Sequence, residues 1–195
     1  MNYNPLIHNR RSLRMKGYDY SREGAYFITM VTQDRFHIFG EIVNEEMILN
    51  EVGEIAKKVW LQTPIIRNNI ILGEFIIMPD HIHGILIITP TPNEGANDEG
   101  ANCNSPHSPH SSPHSHSPQK FQSPSKTIGA IIRGFKGSAT KQINELNISK
   151  GIYHSPQKIF QRDYIDKIIH DKMAFQNISN YIINNPKNWL KTKTE

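Results

Sequence analysis

The sequence predicts an α+β fold, a four-stranded antiparallel sheet with helices on one face. Three observations lead there. Residues 24–32, 70–78 and 81–89 are apolar runs rich in β-branched side chains, which is strand character. Residues 50–63 and 125–146 repeat apolar side chains at helical spacing. Only Pro79 and Asp80 separate the second and third strands, so those two form a hairpin.

Taken in order, residues 1–20 form a basic N-terminal arm, with Arg10, Arg11, Arg14 and Lys16 inside seven positions. This arm is either a solvated tail or a phosphate-contacting segment. Ala25-Tyr26-Phe27-Ile28-Thr29-Met30-Val31-Thr32 makes the first strand, and Asp34-Arg35 interrupts it. Residues 40–49 read as a short peripheral hairpin turning at Asn44-Glu45-Glu46. Asn50 suits the N-cap of a helix whose apolar face is Val52, Ile55, Ala56, Val59 and Trp60, and Pro64 is expected to end it. After the hairpin at Pro79-Asp80, residues 90–124 change character. A near-duplicated Glu-Gly-Ala-Asn is followed by repeated Ser-Pro-His, a composition that cannot build a core and reads as a disordered insertion. Its histidines, His107, His110, His114 and His116, read as a repeat-expanded linker before they read as a chelating site. Order resumes in a helix with the stripe Ile128, Ile131, Ile132, Phe135, Ala139 and Ile143; Arg133 and Lys136 lie on or near its other face. Residues 159–169 are assigned to the fourth strand, and 171–184 to a last helix buried through Phe175, Ile178 and Ile182. The resulting order is βαββαβ, a ferredoxin-like unit, plus a C-terminal helix. Residues 21–195 are thus one domain interrupted by the insertion.

Composition bounds the function. A chain of 195 residues holds one domain with a real core, and the polar insertion explains a hydrophobic content of only 37%. The formal charge of +4 favours a polyanionic partner. Cys103 is the single cysteine, which excludes an internal disulfide and a zinc finger and fits a reducing cytoplasm. The polar, basic start has no signal-peptide pattern, and no apolar run is long enough to span a bilayer. There is no Gly-x-x-x-x-Gly-Lys loop for nucleotide phosphates.

Two places carry candidate chemistry. In His81-Ile82-His83, the period of two puts both imidazoles on one face of a strand and Ile82 on the other, so the pair could share a metal ion. An ordinary packed or surface pair is the competing reading. On the last helix, Tyr181 and Asn185 stand four apart, one turn above each other. A tyrosine flanking an apolar stripe is also a common core-edge residue.

These residues together resemble a family. Met78-Pro79-Asp80 before His81-Ile82-His83, and Tyr181-Ile182-Ile183-Asn184-Asn185-Pro186, are similar to the single-tyrosine HUH-class transposases, in particular the REP-associated tyrosine transposases. Gly17-Tyr18-Asp19-Tyr20, Gly24-Ala25-Tyr26-Phe27, Arg133-Gly134-Phe135-Lys136 and Phe160-Gln161-Arg162-Asp163-Tyr164 extend the likeness over nearly the whole chain outside the insertion. Phe160 stands where many relatives have Trp, and Lys167 where many have His.

The resemblance implies that His81 and His83 bind a divalent metal, Asn185 is the polar third ligand, and Tyr181 is the nucleophile. Mg²⁺ is the implied ion, with Mn²⁺ a comfortable substitute for two imidazoles. The implied reaction cleaves and rejoins single-stranded DNA through a 5′-phosphotyrosine link at hairpin-forming, REP-like palindromes. Arg10, Arg11, Arg14, Lys16, Arg133 and Lys136 are then the candidate nucleic-acid contacts. Monomer and homodimer both fit, and with them cis or trans placement of Tyr181. Three other readings stay open: a non-cleaving nucleic-acid-binding domain of the same fold, a metal-dependent hydrolase using Asp80, and a structural domain without catalysis.

Overall fold

The structure is a computed structural model that describes residues 17–90 and 127–189. Arg10, Arg11, Arg14 and Lys16, and residues 91–126 of the insertion region, lie outside the described residues.

The sheet is built from β1 (Gly24–Val31), β4 (Ile70–Ile77), β5 (His81–Ile88) and β6 (Ile165–Ile169) in the order β4-β5-β1-β6, with every neighbouring pair antiparallel. This is the strand order of a βαββαβ unit, as the sequence predicts. A separate hairpin pairs β2 (Gly40–Val43) with β3 (Glu46–Leu49). Its turn places Asn44 and Glu45 at φ of 50° and 65°, as a two-residue hairpin turn of matching twist requires.

The helices follow their end signals. In α1 (Glu51–Leu61) the Asn50 side chain accepts a hydrogen bond from Gly53 N, so the predicted cap is real. Pro64 does not end this helix. It stands in the first turn of a second short helix, α2 (Thr63–Ile66), where its missing N–H costs nothing. Thr127 caps α3 (Ile128–Ser149), which starts with the first residue of the apolar stripe and lies three residues later than the predicted 125–146. Asp171 caps α4 (Lys172–Ile183), and after Asn184 the chain enters α5 (Asn185–Trp189).

The fourth strand is shorter than its apolar residues imply. Only Ile165–Ile169 pairs along β1, while Phe160 makes a single bridge to Thr32. Between that bridge and Ile165 the backbone turns to α3, where the Lys136 ammonium donates to the carbonyls of Gln161 and Asp163 at 2.9 and 2.8 Å.

Alternation along the strands divides the molecule into two layers. Tyr26, Ile28, Met30, Ile82, Leu86 and Ile88 face α1 and α3 in the main core, with Trp60 and Phe135 packed edge to face at 5.3 Å. Ala25, Phe27, Ile85 and Ile87 point the other way, under α4, where Ile182 is the buried contact. The continuous apolar run of β5 is therefore covered on both faces. Tyr18 and Tyr20, assigned to the arm by the sequence, pack on the main core, their rings 6.5 and 6.2 Å from that of Tyr26. Among the described residues no helix is long and apolar enough to cross a membrane.

Candidate metal and nucleophile site

His81 opens β5 and His83 follows two residues later, so both rings emerge on the α4 side of the sheet, 4.5 Å apart between centroids. Each ring is fixed by a different neighbour. His81 Nδ1 lies 2.5 Å from Asp80 Oδ1, a contact in which the imidazole N–H donates to the carboxylate. His83 Nδ1 lies 2.8 Å from Thr29 Oγ1, and Thr29 is its direct cross-strand partner on β1. With both Nδ1 atoms engaged, the two Nε2 atoms are the ring nitrogens left for a ligand role. Second-shell partners of this kind fix the orientation of metal-binding imidazoles.

Burial keeps both rings neutral. It pushes His83 down to about 3, reinforced by the neighbouring His81 and opposed by Asp80. His81 is lowered as well, by burial first, although the Asp80 carboxylate pulls it back up. Both rings are thus unprotonated at neutral pH, the state in which imidazole binds a metal.

Tyr181 comes from α4. Its neighbour Ile182 is buried against the sheet, which leaves Tyr181 half exposed at the edge of the contact, as the helical stripe predicts. Its hydroxyl is 3.3 Å from His83 Nε2 and its ring 5.3 Å from that imidazole. Phe27 supports the group from β1, stacked on His83 at 5.2 Å and edge-on to Tyr181 at 6.1 Å. Trp189 of α5 lies 5.6 Å from the His81 ring.

Asn185 is placed differently from the expectation that it continues the helix of Tyr181. α4 stops at Ile183, and Asn185 starts α5 on the far side of the break. Asn185 is buried there. Among the described residues no cluster of three His, Cys, Asp or Glu side chains forms. The two neutral imidazoles, 4.5 Å apart, are the donors the fold brings together, a pair that fits a divalent ion with open positions rather than a closed structural zinc site.

Arg133 and Lys136 sit elsewhere, along a cleft of about 860 Å³ between α3 and residues 156–164. Arg133 is exposed there, and Arg162 and Tyr164 line the opposite wall. Lys136 is occupied by its two carbonyl contacts, and burial pushes its ammonium down to about 8.

An uncharacterized protein of Haemophilus influenzae is 36% identical over 187 residues, which span 96% of this chain and 93% of that protein. The chain belongs to that protein's family. No family model matches the sequence. Among solved structures, a REP-associated tyrosine transposase bound to a REP hairpin shares the fold, with a TM-score of 0.51 at 13% identity over 89% of this chain and 74% of that one. This chain therefore shares the α+β sheet of that transposase, and carries its imidazole pair on the face that α4 covers.

The sequence points to His81, His83 and Tyr181; the fold sets the two imidazoles side by side and the Tyr181 hydroxyl against His83. Thr29 and Trp189 went unnoticed. The signal for Thr29 was present: pairing the two strands in register sets it opposite His83. Asp80, the acid of the hydrolase reading, is the partner of His81 Nδ1.

Proposed function

We propose that the protein cleaves and rejoins single-stranded DNA through a covalent link to Tyr181. The observation that carries this reading is the phenol hydroxyl 3.3 Å from the Nε2 of His83, in a pair of neutral imidazoles whose other nitrogens are held by Asp80 and Thr29. The structural likeness to a hairpin-bound tyrosine transposase supports the substrate class.

In the step we infer, the Tyr181 oxygen attacks the scissile phosphorus and the bond to the 3′-oxygen breaks. A 5′-phosphotyrosine and a free 3′-hydroxyl result; reversal with another 3′-hydroxyl rejoins the strand without ATP. A free phenol titrates near 10, so Tyr181 needs help to lose its proton. His81, His83 and Asn185 would hold a divalent ion, Mg²⁺ or Mn²⁺, which polarises the phosphate and stabilises the leaving 3′-oxygen. His83 Nε2 has one lone pair. The phenol contact and a ligand role for that ring would therefore exclude each other, so Tyr181 would have to leave His83 to reach a phosphodiester. Arg133, with Arg162 across the cleft, is suited to hold the DNA backbone away from the cut. The N-terminal arginines, Arg10, Arg11 and Arg14, with Lys16, would add charge to the same task.

The test is a covalent-adduct assay with labelled hairpin oligonucleotides from the gene's own flanks. We expect a protein–DNA band on a denaturing gel that needs Mg²⁺ or Mn²⁺ and disappears in Tyr181→Phe. A band that persists in that variant moves the nucleophile elsewhere. Metal-independent binding with no band would support the non-cleaving domain instead.

A further inference from the structure

We propose that Arg35 binds a phosphodiester of the substrate strand beside the imidazole pair, presented there by a left-handed turn. The inference rests on the single-stranded DNA reading above. Directly after β1, the turn closes with Arg35 N on Thr32 O and Phe36 N on Gln33 O, both at 3.2 Å. Its two central residues, Asp34 and Arg35, have φ of 52° and 56°. Glycine, asparagine and aspartate suit such positions; arginine does not. The turn is nevertheless firmly seated. Gln33 N donates to Ile159 O at 2.8 Å, Thr32 Oγ1 reaches Asp80 O at 2.9 Å, and Ile38 N reaches Pro79 O at 3.0 Å. The last two of these bonds tie it to the connection that leads into His81.

The guanidinium is aimed at the same place. Arg35 Nη1 is 3.6 Å from Asp80 Oδ2, and the other oxygen of that carboxylate holds His81. Yet the Arg35 side chain is 70% exposed, and an ion pair that open adds little to stability. Neither backbone conformation nor the ion pair accounts for an arginine here. A binding role does. Asp80 orients one edge of the fork, and the exposed remainder can donate to a phosphate in the bidentate manner suited to a planar guanidinium. Beside it Phe36 is 63% exposed, and His37 lies 5.7 Å from Trp189, so an unpaired base next to that phosphate meets aromatic surface.

Arg35→Gly separates this role from a structural one, because glycine relieves the turn. Melting temperature and affinity for a labelled single-stranded hairpin oligonucleotide would be measured across a salt series. We expect a melting temperature equal to or above wild type, affinity lower by roughly tenfold, and a salt slope shallower by about 0.7, the value for one phosphate contact on a single strand. Arg35→Lys should keep the slope and part of the affinity. Wild-type affinity and slope in Arg35→Gly would overturn the proposal. So would weaker binding with an unchanged slope and a lower melting temperature, which assigns Arg35 to support of Asp80. Binding is read without cleavage. Wild-type protein that binds DNA but forms no adduct therefore refutes the enzymatic reading, while the Arg35 comparison still decides this one.

Discussion

Two imidazoles with ring centroids 4.5 Å apart, His83 buried and His81 mostly so, cannot both carry a proton without a large cost, and this fixes how the site responds to pH. The folded-state values of both rings lie below the ordinary 6.5, for His83 at about 3. Below pH 6.5 the unfolded chain takes up protons that the folded site refuses, so stability falls as pH falls from 6.5 toward 3 and is flat with respect to these groups above about 7. For His83 alone the slope approaches about 1.4 kcal/mol per pH unit well below 6.5. We expect the urea midpoint of wild type to drop between pH 7 and pH 5 more steeply than that of His83→Gln. A matching slope in the two proteins would place the acid sensitivity elsewhere. Thr29 is the complementary probe. Thr29→Val keeps the shape but removes the partner of His83 Nδ1. Loss of such a partner commonly weakens a metal site by about 10–100-fold, to be read as the Mn²⁺ concentration that half-saturates adduct formation. At this scale the sequence was informative wherever chemistry follows from spacing. His81 and His83 share a face because strands have period two. Arg35 and Trp189 come near the site through a left-handed turn and a second helix after a break, which no local periodicity encodes.

β5 has to place its histidines beside two crowded layers, and Gly84 is where that crowding is greatest. A Cβ on Gly84 would lie 2.6 Å from Trp60 Cζ2 and 3.3 Å from Phe75 Cβ. Trp60 is fully buried, with its ring 5.3 Å from Phe135, and cannot swing away. Gly84→Ala should therefore cost about 1–3 kcal/mol through overpacking, measured as a lower denaturant midpoint with unchanged slope. Because Gly84 adjoins His83 and pairs with Ile28 and Phe75, the strain also falls on the site, and adduct formation should decline with it. The sequence shows a glycine in an apolar strand and no more; what it makes room for comes from a helix some twenty-four positions earlier. Element ends were more readable where a side chain makes the cap, as at Asn50 and Asp171, than where tertiary contact sets the limit. The fourth strand is the clearest case of the latter. Its apolar residues begin at Ile159, but Lys136 holds the carbonyls of Gln161 and Asp163, and pairing along β1 waits until Ile165.

The strand order and the two-layer division follow from element order and alternation, so the architecture was readable from the chain as a whole. The unequal strength of the two layers was not, because it depends on how much each helix buries. On one face α1 and α3 close a large core that includes Trp60, Tyr26 and Phe135. On the other, α4 rests on a cluster whose buried members are only Ile85, Ile169 and Ile182. Each such isoleucine contributes about 1.5–3 kcal/mol, so α4 is held by far less apolar burial than the sheet it covers. Proteins open locally where such burial is thin. Tyr181 thus sits on the more loosely attached layer and the histidines on the rigid one, an arrangement that, under the proposed reaction, would let Tyr181 move between His83 and a phosphodiester without disturbing the sheet. Hydrogen exchange followed by mass spectrometry should show the amides of Lys172–Ile183 exchanging ahead of those of β1 and β5. Mn²⁺ should slow α4 exchange if Asn185, one residue past its C-cap, joins the histidines as a ligand. Ile182→Ala should speed α4 exchange while leaving β1 and β5 nearly unchanged. Uniform protection across α4, β1 and β5 would mean that Tyr181 and the histidines unfold as one unit, and would rule out independent movement of the tyrosine helix.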